Sequence, residues 1–346
     1  MKELTNIIND PEDNINELTF YFEHLLSEDI TIEEQENILR KINQKGINEF
    51  FLSSLSNVLI NRLENLENIS GDFIDTCGTG GSNLNIFNCS TLSSFVIAQA
   101  GGKVFKHGNK AITSKSGSAD FLERSGINLN TDFKKIVSIY DSLNIGFLFA
   151  PNFHKSIRHV AEARKNIGKR TIFNVIGPLV NPTNPDFQII GTSTSELHDP
   201  ISKMLQQKNI KHGIVVTSED GIDEFSITST SKVTEIKNGT INKWIFDPKD
   251  YGFEYTNISE IQTNTNEEAY LMGIEILNGK RCAATDMVAI NSGIGLYMLN
   301  QVETIHAGIS KAKSILTSGK TLLLLNQYAT LSLSLIHISE PTRLSV

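Results

Sequence analysis

Two glycine-rich loops carry the residues best suited to chemistry. The first reads Asp75-Thr76-Cys77-Gly78-Thr79-Gly80-Gly81-Ser82 and runs on to Asn88-Cys89-Ser90-Thr91 at a helix start. The second reads Lys106-His107-Gly108-Asn109-Lys110-Ala111-Ile112-Thr113-Ser114, followed by Gly117-Ser118-Ala119-Asp120. Glycine lets main-chain N–H groups approach an anion, helix starts leave N–H donors unpaired, and Lys and hydroxyl side chains complete such a shell. Paired in this way, the loops fit a cradle for a phosphorylated ligand. The plainer reading of the same residues is loop and helix capping, with Asn88 or Ser90 capping the helix that runs to Ala100. Both readings can hold at once.

Three further positions suit chemistry. Asp223 and Glu224 are adjacent carboxylates after Gly221, hard oxygen ligands of the kind Mg²⁺ takes; alone, such a pair is usually a solvated turn. Arg164 can grip a carboxylate with two parallel N–H bonds, although a single arginine on a helix is ordinarily a surface charge. His107 is a candidate general base by its ordinary proton affinity. Cys77 and Cys89 flank the first loop without a histidine motif beside them and read as packing residues.

In order, the motifs GTGG, N-x-S-T, KHGN and GSAD resemble those of anthranilate phosphoribosyltransferases. Arg164-Lys165-Asn166-Ile167-Gly168-Lys169-Arg170-Thr171-Ile172-Phe173-Asn174, then Gly177-Pro178-Leu179 and Asn181-Pro182, matches another signature, and Gly221-Ile222-Asp223-Glu224 a third. The likeness spans about residues 1 to 328. It implies transfer of the phosphoribosyl group of phosphoribosyl pyrophosphate to anthranilate in tryptophan biosynthesis, with Mg²⁺, two ions per subunit, and a homodimer paired through the N-terminal helices. It implies that Gly81, Ser82, Ile86, Asn88, Cys89, Ser90, Thr91, Lys106, His107, Gly108, Asn109, Lys110, Ala111, Ile112, Thr113, Ser114 and Ser118 surround phosphoribosyl pyrophosphate. Ser90, Asp223 and Glu224 are the implied metal ligands. Arg164, Gly78, Asn109 and the Gly177-Pro178 turn are implied for anthranilate, with Arg158 and Arg170 structural. An aromatic amine is already unprotonated near neutral pH, so His107 need not be a strong base and is expected to shape the loop and the anthranilate site. Three positions depart from the family pattern: Ser82 for a usual Asp, Lys110 for a usual Arg, and Ile86 for a usual hydroxyl residue.

A pyrimidine nucleoside phosphorylase of the same architecture is the competing enzyme reading, though its phosphate loop carries a different lysine signature. A non-catalytic nucleic-acid-binding relative is the competing reading of another class. The formal charge of −8, the absence of a basic run and a single Trp argue against it. The three cysteines lack C-x-x-C spacing, so neither a disulfide framework nor a zinc site is expected. The N-terminus has no apolar signal region and no stretch is long enough to span a bilayer, which predicts a cytoplasmic protein without membrane partners. Nothing in the sequence speaks for or against association with anthranilate synthase components.

These residues need elements to position them. Leu18, Phe22, Leu25 and Leu26, then Ile38 and Ile42, then Phe51, Leu55, Val58 and Leu59 fall at three- and four-residue spacing, which predicts helices. Thr31-Ile32-Glu33-Glu34 reads as a capping-box start and Gly46 as a stop. From Gly71 short apolar runs at 73–75, 104–106, 146–149, 188–191 and 213–217 alternate with helical segments. The expected fold is therefore α/β: a small helical domain over 1–68, then a larger domain over 69–328 with a mostly parallel central sheet flanked by helices. By the resemblance, a helical segment near 155–180 contributes at the hinge. The end of the chain, from Leu333-Ser334-Leu335-Ile336 onward, resembles a translated sequencing adapter, so 329–346 is read as a non-native tail.

Overall fold

The structure is a computed structural model that describes residues 4–64, 69, 71–82, 84–111 and 116–334. Ile112, Thr113 and Ser114, expected around the phosphate ligand, lie outside the described residues. A short helix, α1 (Leu4–Asn9), which the spacing did not predict, precedes α2 (Ile15–Leu25), α3 (Ile32–Lys45) and α4 (Glu49–Asn61), which form where the apolar spacing predicts them. The α3 start is a reciprocal capping box: the Glu34 N–H donates to Thr31 Oγ1 at 3.3 Å and the Thr31 N–H to Glu34 Oε2 at 3.0 Å. Gly46, at φ +88°, ends the helix in a conformation that a side chain would disfavour.

These helices bury Leu18, Phe22, Leu25, Ile38, Ile42, Phe51, Leu55, Val58 and Leu59 in one cluster. Val160, Ala163, Ile172, Val175, Ile176 and Leu179 enter the same cluster, so the 155–180 segment packs with the N-terminal helices although it follows three strands in sequence. Ile201, Met204 and Leu205 join them from a later helix and tie this layer to the sheet.

Among the described residues the sheet has seven strands: β1 (Ile74–Asp75), β2 (Val104–Gly108), β3 (Ile145–Phe149), β4 (Phe187–Gly191), β5 (His212–Ser218), β6 (Ser231–Lys237) and β7 (Thr240–Phe246), in the order β3-β2-β1-β4-β5-β6-β7. The pairs from β3 to β5 are parallel. The sequence reading did not include β6 and β7, which add an antiparallel hairpin at the edge.

The chain steps outward through β1, β2 and β3, then returns to lay β4 against β1. That reversal opens a crevice at the carboxyl ends of β1 and β4, where ligands bind in open α/β sheets. Five helices follow β1 before β4, namely α5 (Cys89–Gln99), α6 (Ser118–Arg124), α7 (Phe133–Leu143), α8 (Ala150–Phe153) and α9 (Ala161–Ile167). After it come α10 (His198–Gln207), α11 (Asn266–Leu277), α12 (Ala283–Met298), α13 (Ile305–Thr317) and α14 (Lys320–Leu333). Helix α12 is buried on almost every side, as its near-continuous apolar sequence demands, and packs Met287, Val288 and Ile294 in one core with Ile74 and Phe95.

The boundary drawn at residue 328 falls inside α14. Tyr328 Oη accepts the Phe147 N–H at 3.1 Å, and Ser332 Oγ accepts the Asn128 N–H at 3.0 Å, so the helix is docked through Leu333. Residues 335–346 lie outside the described part. No helix among the described residues is long and apolar enough to cross a membrane.

Candidate active site

Beyond Asp75 the chain bends through Gly80 and Gly81, both in the left-handed region at φ +65° and +86°. Three contacts hold the bend. The Thr79 N–H donates to Gly191 O at 2.8 Å, the Gly80 N–H to Asp223 Oδ2 at 3.1 Å, and Arg170 Nη2 to Gly80 O at 3.0 Å. Arg170 Nη1 also donates to Ser193 Oγ at 2.6 Å. A Cβ on Gly81 would lie 2.5 Å from the Arg170 guanidinium, so only glycine lets the arginine lie flat against the loop. Arg170, expected to be structural, braces the cradle itself; Arg158 is exposed.

Asn88 occupies the position before α5, yet its side chain does not cap that helix. Its Nδ2 donates to Ser116 O at 3.2 Å and its Oδ1 accepts from Ser116 Oγ at 3.0 Å, which ties the first loop to the second. The helix-start amide of Ser90 donates instead to Glu224 Oε1 at 3.1 Å. A carboxylate at a helix start is favoured by the dipole as well as by the hydrogen bond. Lys106 is buried beneath the cradle: its Nζ donates to Thr76 O at 2.8 Å, Thr76 Oγ1 at 3.2 Å and Ser90 Oγ at 3.1 Å.

Asp223 and Glu224 line the cleft rather than a solvated turn. Burial pushes the Glu224 carboxyl up to about 8, helped by the neighbouring Asp223 charge and opposed by Lys106 and Ser90. Burial also raises Asp223, against the Gly80 N–H, Arg170 and Lys106. Two carboxylates with raised proton affinity, next to the Ser90 hydroxyl, are a site that a bound cation would stabilise. Among the described residues no cluster of three or more His, Cys, Asp or Glu exists to hold a metal. The oxygens of Asp223, Glu224 and Ser90 nevertheless fit Mg²⁺, which keeps waters and takes ligand phosphates alongside one or two carboxylates. Burial drives the Cys77 thiol up to about 12 and the Cys89 thiol well above its ordinary value, so both stay protonated.

From the cradle a cleft of about 310 Å³ extends to Arg164, His154, Phe173, Gly177 and Pro178. His107 Nδ1 lies 3.0 Å from Gly177 O; a carbonyl can only accept, so Nδ1 carries the proton. The other nitrogen, Nε2, is buried without a partner among the described residues and presents a lone pair. His154 repeats the pattern, with Nε2 donating to Val180 O at 2.8 Å and Nδ1 unpartnered. Burial lowers His107 to about 3, with His154 adding to the shift, and lowers His154 to about 4. The two rings, 5.4 Å apart between centroids, are therefore neutral acceptors at pH 7. The Arg164 guanidinium lies over the Phe173 ring at 5.5 Å and has no ion-pair partner among the described residues. An unpaired cation and lone-pair acceptors lining one cleft suit a small aromatic acid bearing an amine.

Residues 70–322 match the profile of the glycosyl transferase family, a/b domain. Anthranilate phosphoribosyltransferase of Petrotoga mobilis is 37% identical over 309 residues, which cover 89% of this chain and 90% of that protein. The chain belongs to the anthranilate phosphoribosyltransferase family. The family's enzyme from Vesicomyosocius okutanii subsp. Calyptogena okutanii is 44% identical over 246 residues, 71% of this chain and 73% of that protein. In structure, anthranilate phosphoribosyltransferase from Thermus thermophilus superposes with a TM-score of 0.85 at 28% identity, covering 92% of this chain and 95% of that one. The Saccharomyces cerevisiae enzyme, solved in complex with PRPP and Mg, shares the fold at a TM-score of 0.83 and 23% identity, with 92% of each chain covered.

The three departures from the family pattern sit differently. Ser82 Oγ accepts the Leu84 N–H at 3.1 Å, a local turn bond that a carboxylate could also make. Ile86 forms an antiparallel bridge to Gln262 and packs on the core. Lys110 pairs with Glu123 at 2.8 Å on an exposed flank, and Asn109 Oδ1 accepts the Lys110 N–H at 2.8 Å. Ser118 Oγ donates to Asn109 O at 3.2 Å, which fastens the second loop to the start of α6. Sequence reasoning missed His154, Phe173 and Asn174, which line the same cleft. His154 stands in no recognised motif, and the only signal was its place near the carboxyl end of β3.

Proposed function

We propose that this family member joins anthranilate to C1 of phosphoribosyl pyrophosphate in the cleft between the cradle and Arg164. The anthranilate nitrogen forms the new bond to C1 as the bond from C1 to the pyrophosphate oxygen breaks, and the nitrogen then gives up one proton to water or the departing pyrophosphate, giving phosphoribosyl anthranilate and pyrophosphate. The observation that carries the reading is the meeting, in one cleft, of an anion cradle backed by two raised carboxylates, an unpaired Arg164 and two neutral histidines.

Charge grows on the leaving oxygens as the bond breaks, and donors already aimed at them lower the barrier. The Gly81 amide and the Thr91 hydroxyl would supply such donors; Thr91 Oγ1 is buried without a partner among the described residues. Asp223, Glu224 and Ser90 would hold Mg²⁺, read as two ions per subunit, which when bound adds positive charge to the pyrophosphate. Arg164 would take the anthranilate carboxylate, with the ring between the Gly177-Pro178 turn and Phe173. His107 Nε2 would accept a hydrogen bond from the amine and so aim its lone pair; a ring that protonates near pH 3 orients the nucleophile without acting as a strong base.

Exposed Ile15 and Phe20 on α2 and Ile32 on α3 support a homodimer formed through the N-terminal helices. A cytoplasmic location fits its free cysteines. To test the reading against a nucleoside phosphorylase, the protein is offered phosphoribosyl pyrophosphate with anthranilate, or inorganic phosphate with a pyrimidine nucleoside. Consumption of the first pair alone is expected, and consumption of the second alone would overturn the assignment.

A further inference from the structure

Asp75 ends β1 and is fully buried. One carboxylate oxygen accepts the main-chain N–H of His107 at 3.2 Å, and the other accepts Nδ2 of Asn181 at 2.8 Å. These partners come from two other connections, the end of β2 and the turn that follows Gly177. Asn181 has no freedom to turn its amide. Its Nδ2 also donates to Phe105 O at 2.9 Å, while its Oδ1 accepts from Thr183 N at 3.0 Å and Thr183 Oγ1 at 2.7 Å. The NH₂ group must therefore face Asp75.

A buried carboxylate is costly to desolvate, and its retention calls for a task. Here the task is geometric. His107 is pinned twice, by Asp75 at its main chain and by Gly177 O at its ring, while Asn181 secures the far end of the Gly177-Pro178 turn to the same carboxylate. His107 and that turn, bonded to each other, together form one wall of the slot proposed above for the aromatic ring, with Phe173 on the other side. Asp75 has no exposed surface and, unlike His107, does not line the cleft.

Resting on the function proposed above, we propose that Asp75 is a positioning residue that sets the width of the acceptor slot by joining the second glycine loop to the Gly177–Asn181 turn. The Asp75→Asn substitution keeps the shape and breaks the joint. Whichever way the new amide turns, its NH₂ meets either the Asn181 NH₂ or the His107 N–H.

The test is steady-state kinetics of the full chain with both substrates varied, alongside thermal melting. Asp75→Asn should raise the Michaelis constant for anthranilate by about tenfold or more, as for a lost charge-assisted hydrogen bond, and move that for phosphoribosyl pyrophosphate by less than about threefold. Should Asp75→Asn fail to fold, Asn181→Ala removes the same joint while keeping the carboxylate, and it should shift the anthranilate constant in the same selective way. Equal shifts in both constants, or an unchanged anthranilate constant in the folded variant, would overturn the proposal. An inactive wild-type chain would instead remove the functional reading on which it rests.

Discussion

Gly191 ends β4 opposite Val216 and faces the main chain of Asp223. A Cβ built there would lie 2.5 Å from the carbonyl carbon of Asp223 and nearer still to its oxygen. Carbon and oxygen atoms in weak contact stay at about 3.3 Å or more, so Gly191→Ala forces the Asp223 carbonyl back by about 1.6 Å and its segment by about 1 Å or more. The same movement loosens the cradle, because Gly191 O accepts the Thr79 N–H and Asp223 Oδ2 accepts the Gly80 N–H. Displacing reacting groups by about 1 Å costs on the order of 100-fold in rate. Overpacking adds a stability cost of about 1 to 3 kcal/mol, small enough for the variant to remain folded. Steady-state turnover as a function of Mg²⁺, with a melting curve on the same sample, measures both effects. The expected result is a folded protein whose kcat is about 100-fold lower and whose half-saturating Mg²⁺ is higher. A folded Gly191→Ala protein with wild-type kcat and metal dependence would refute the claim that this contact sets the position of Asp223.

Asp223→Asn and Glu224→Gln should each lower turnover on the order of 100-fold and weaken apparent Mg²⁺ affinity without unfolding the chain, and wild-type activity at limiting Mg²⁺ would count against the metal assignment. Arg164→Ala should raise the Michaelis constant for anthranilate by a cost of about 2 to 3 kcal/mol and leave that for phosphoribosyl pyrophosphate nearly unchanged; equal shifts would mean that Arg164 supports the whole site. His198 is buried between Thr234 Oγ1 and Thr217 Oγ1, each at 2.9 Å, and burial lowers it to about 4, below the ordinary range of an unfolded histidine. The stability its neutral ring contributes is thus complete above about pH 6.5 and is lost as pH falls toward 4, with a slope of up to about 1.4 kcal/mol per pH unit. Chemical unfolding from pH 7 to 4.5 should show a shallower acid loss in His198→Gln than in wild type, and equal losses would contradict this.

Local features were the ones readable in the sequence. Thr31 and Glu34 meet within one helical turn, and the apolar runs that became β1 to β5 each stand against polar or glycine-rich neighbours. The β6-β7 hairpin escaped notice because Lys232, Glu235, Lys237, Asn242 and Lys243 dilute its apolar alternation. Its signal was the Asn238-Gly239 pair, both with positive φ at 48° and 77°, as a tight two-residue hairpin turn requires. Arg158 and Arg170 are equivalent on paper, and only the return of β4 beside β1 carries Arg170 to the Gly80 carbonyl. Lys106 suggested a phosphate contact by its place in the loop. The fold sends its ammonium under the cradle, where Thr76 and Ser90 take its bonds. Asp75 and Asn181 stand 106 positions apart, so their hydrogen bond has no local signature. His154 likewise gains meaning only from its distance to His107. The glycine loops and the Asp223-Glu224 pair were visible as motifs; the joints between them belong to tertiary structure.

The most direct test of the central claim follows anthranilate fluorescence in the presence of the purified chain, with phosphoribosyl pyrophosphate and Mg²⁺ added together, singly, or with the metal chelated. Loss of the signal is expected only when the chain, both substrates and Mg²⁺ are all present, accompanied by release of one pyrophosphate per anthranilate consumed. A stable signal under the complete condition, from a protein shown to be folded, would contradict the account.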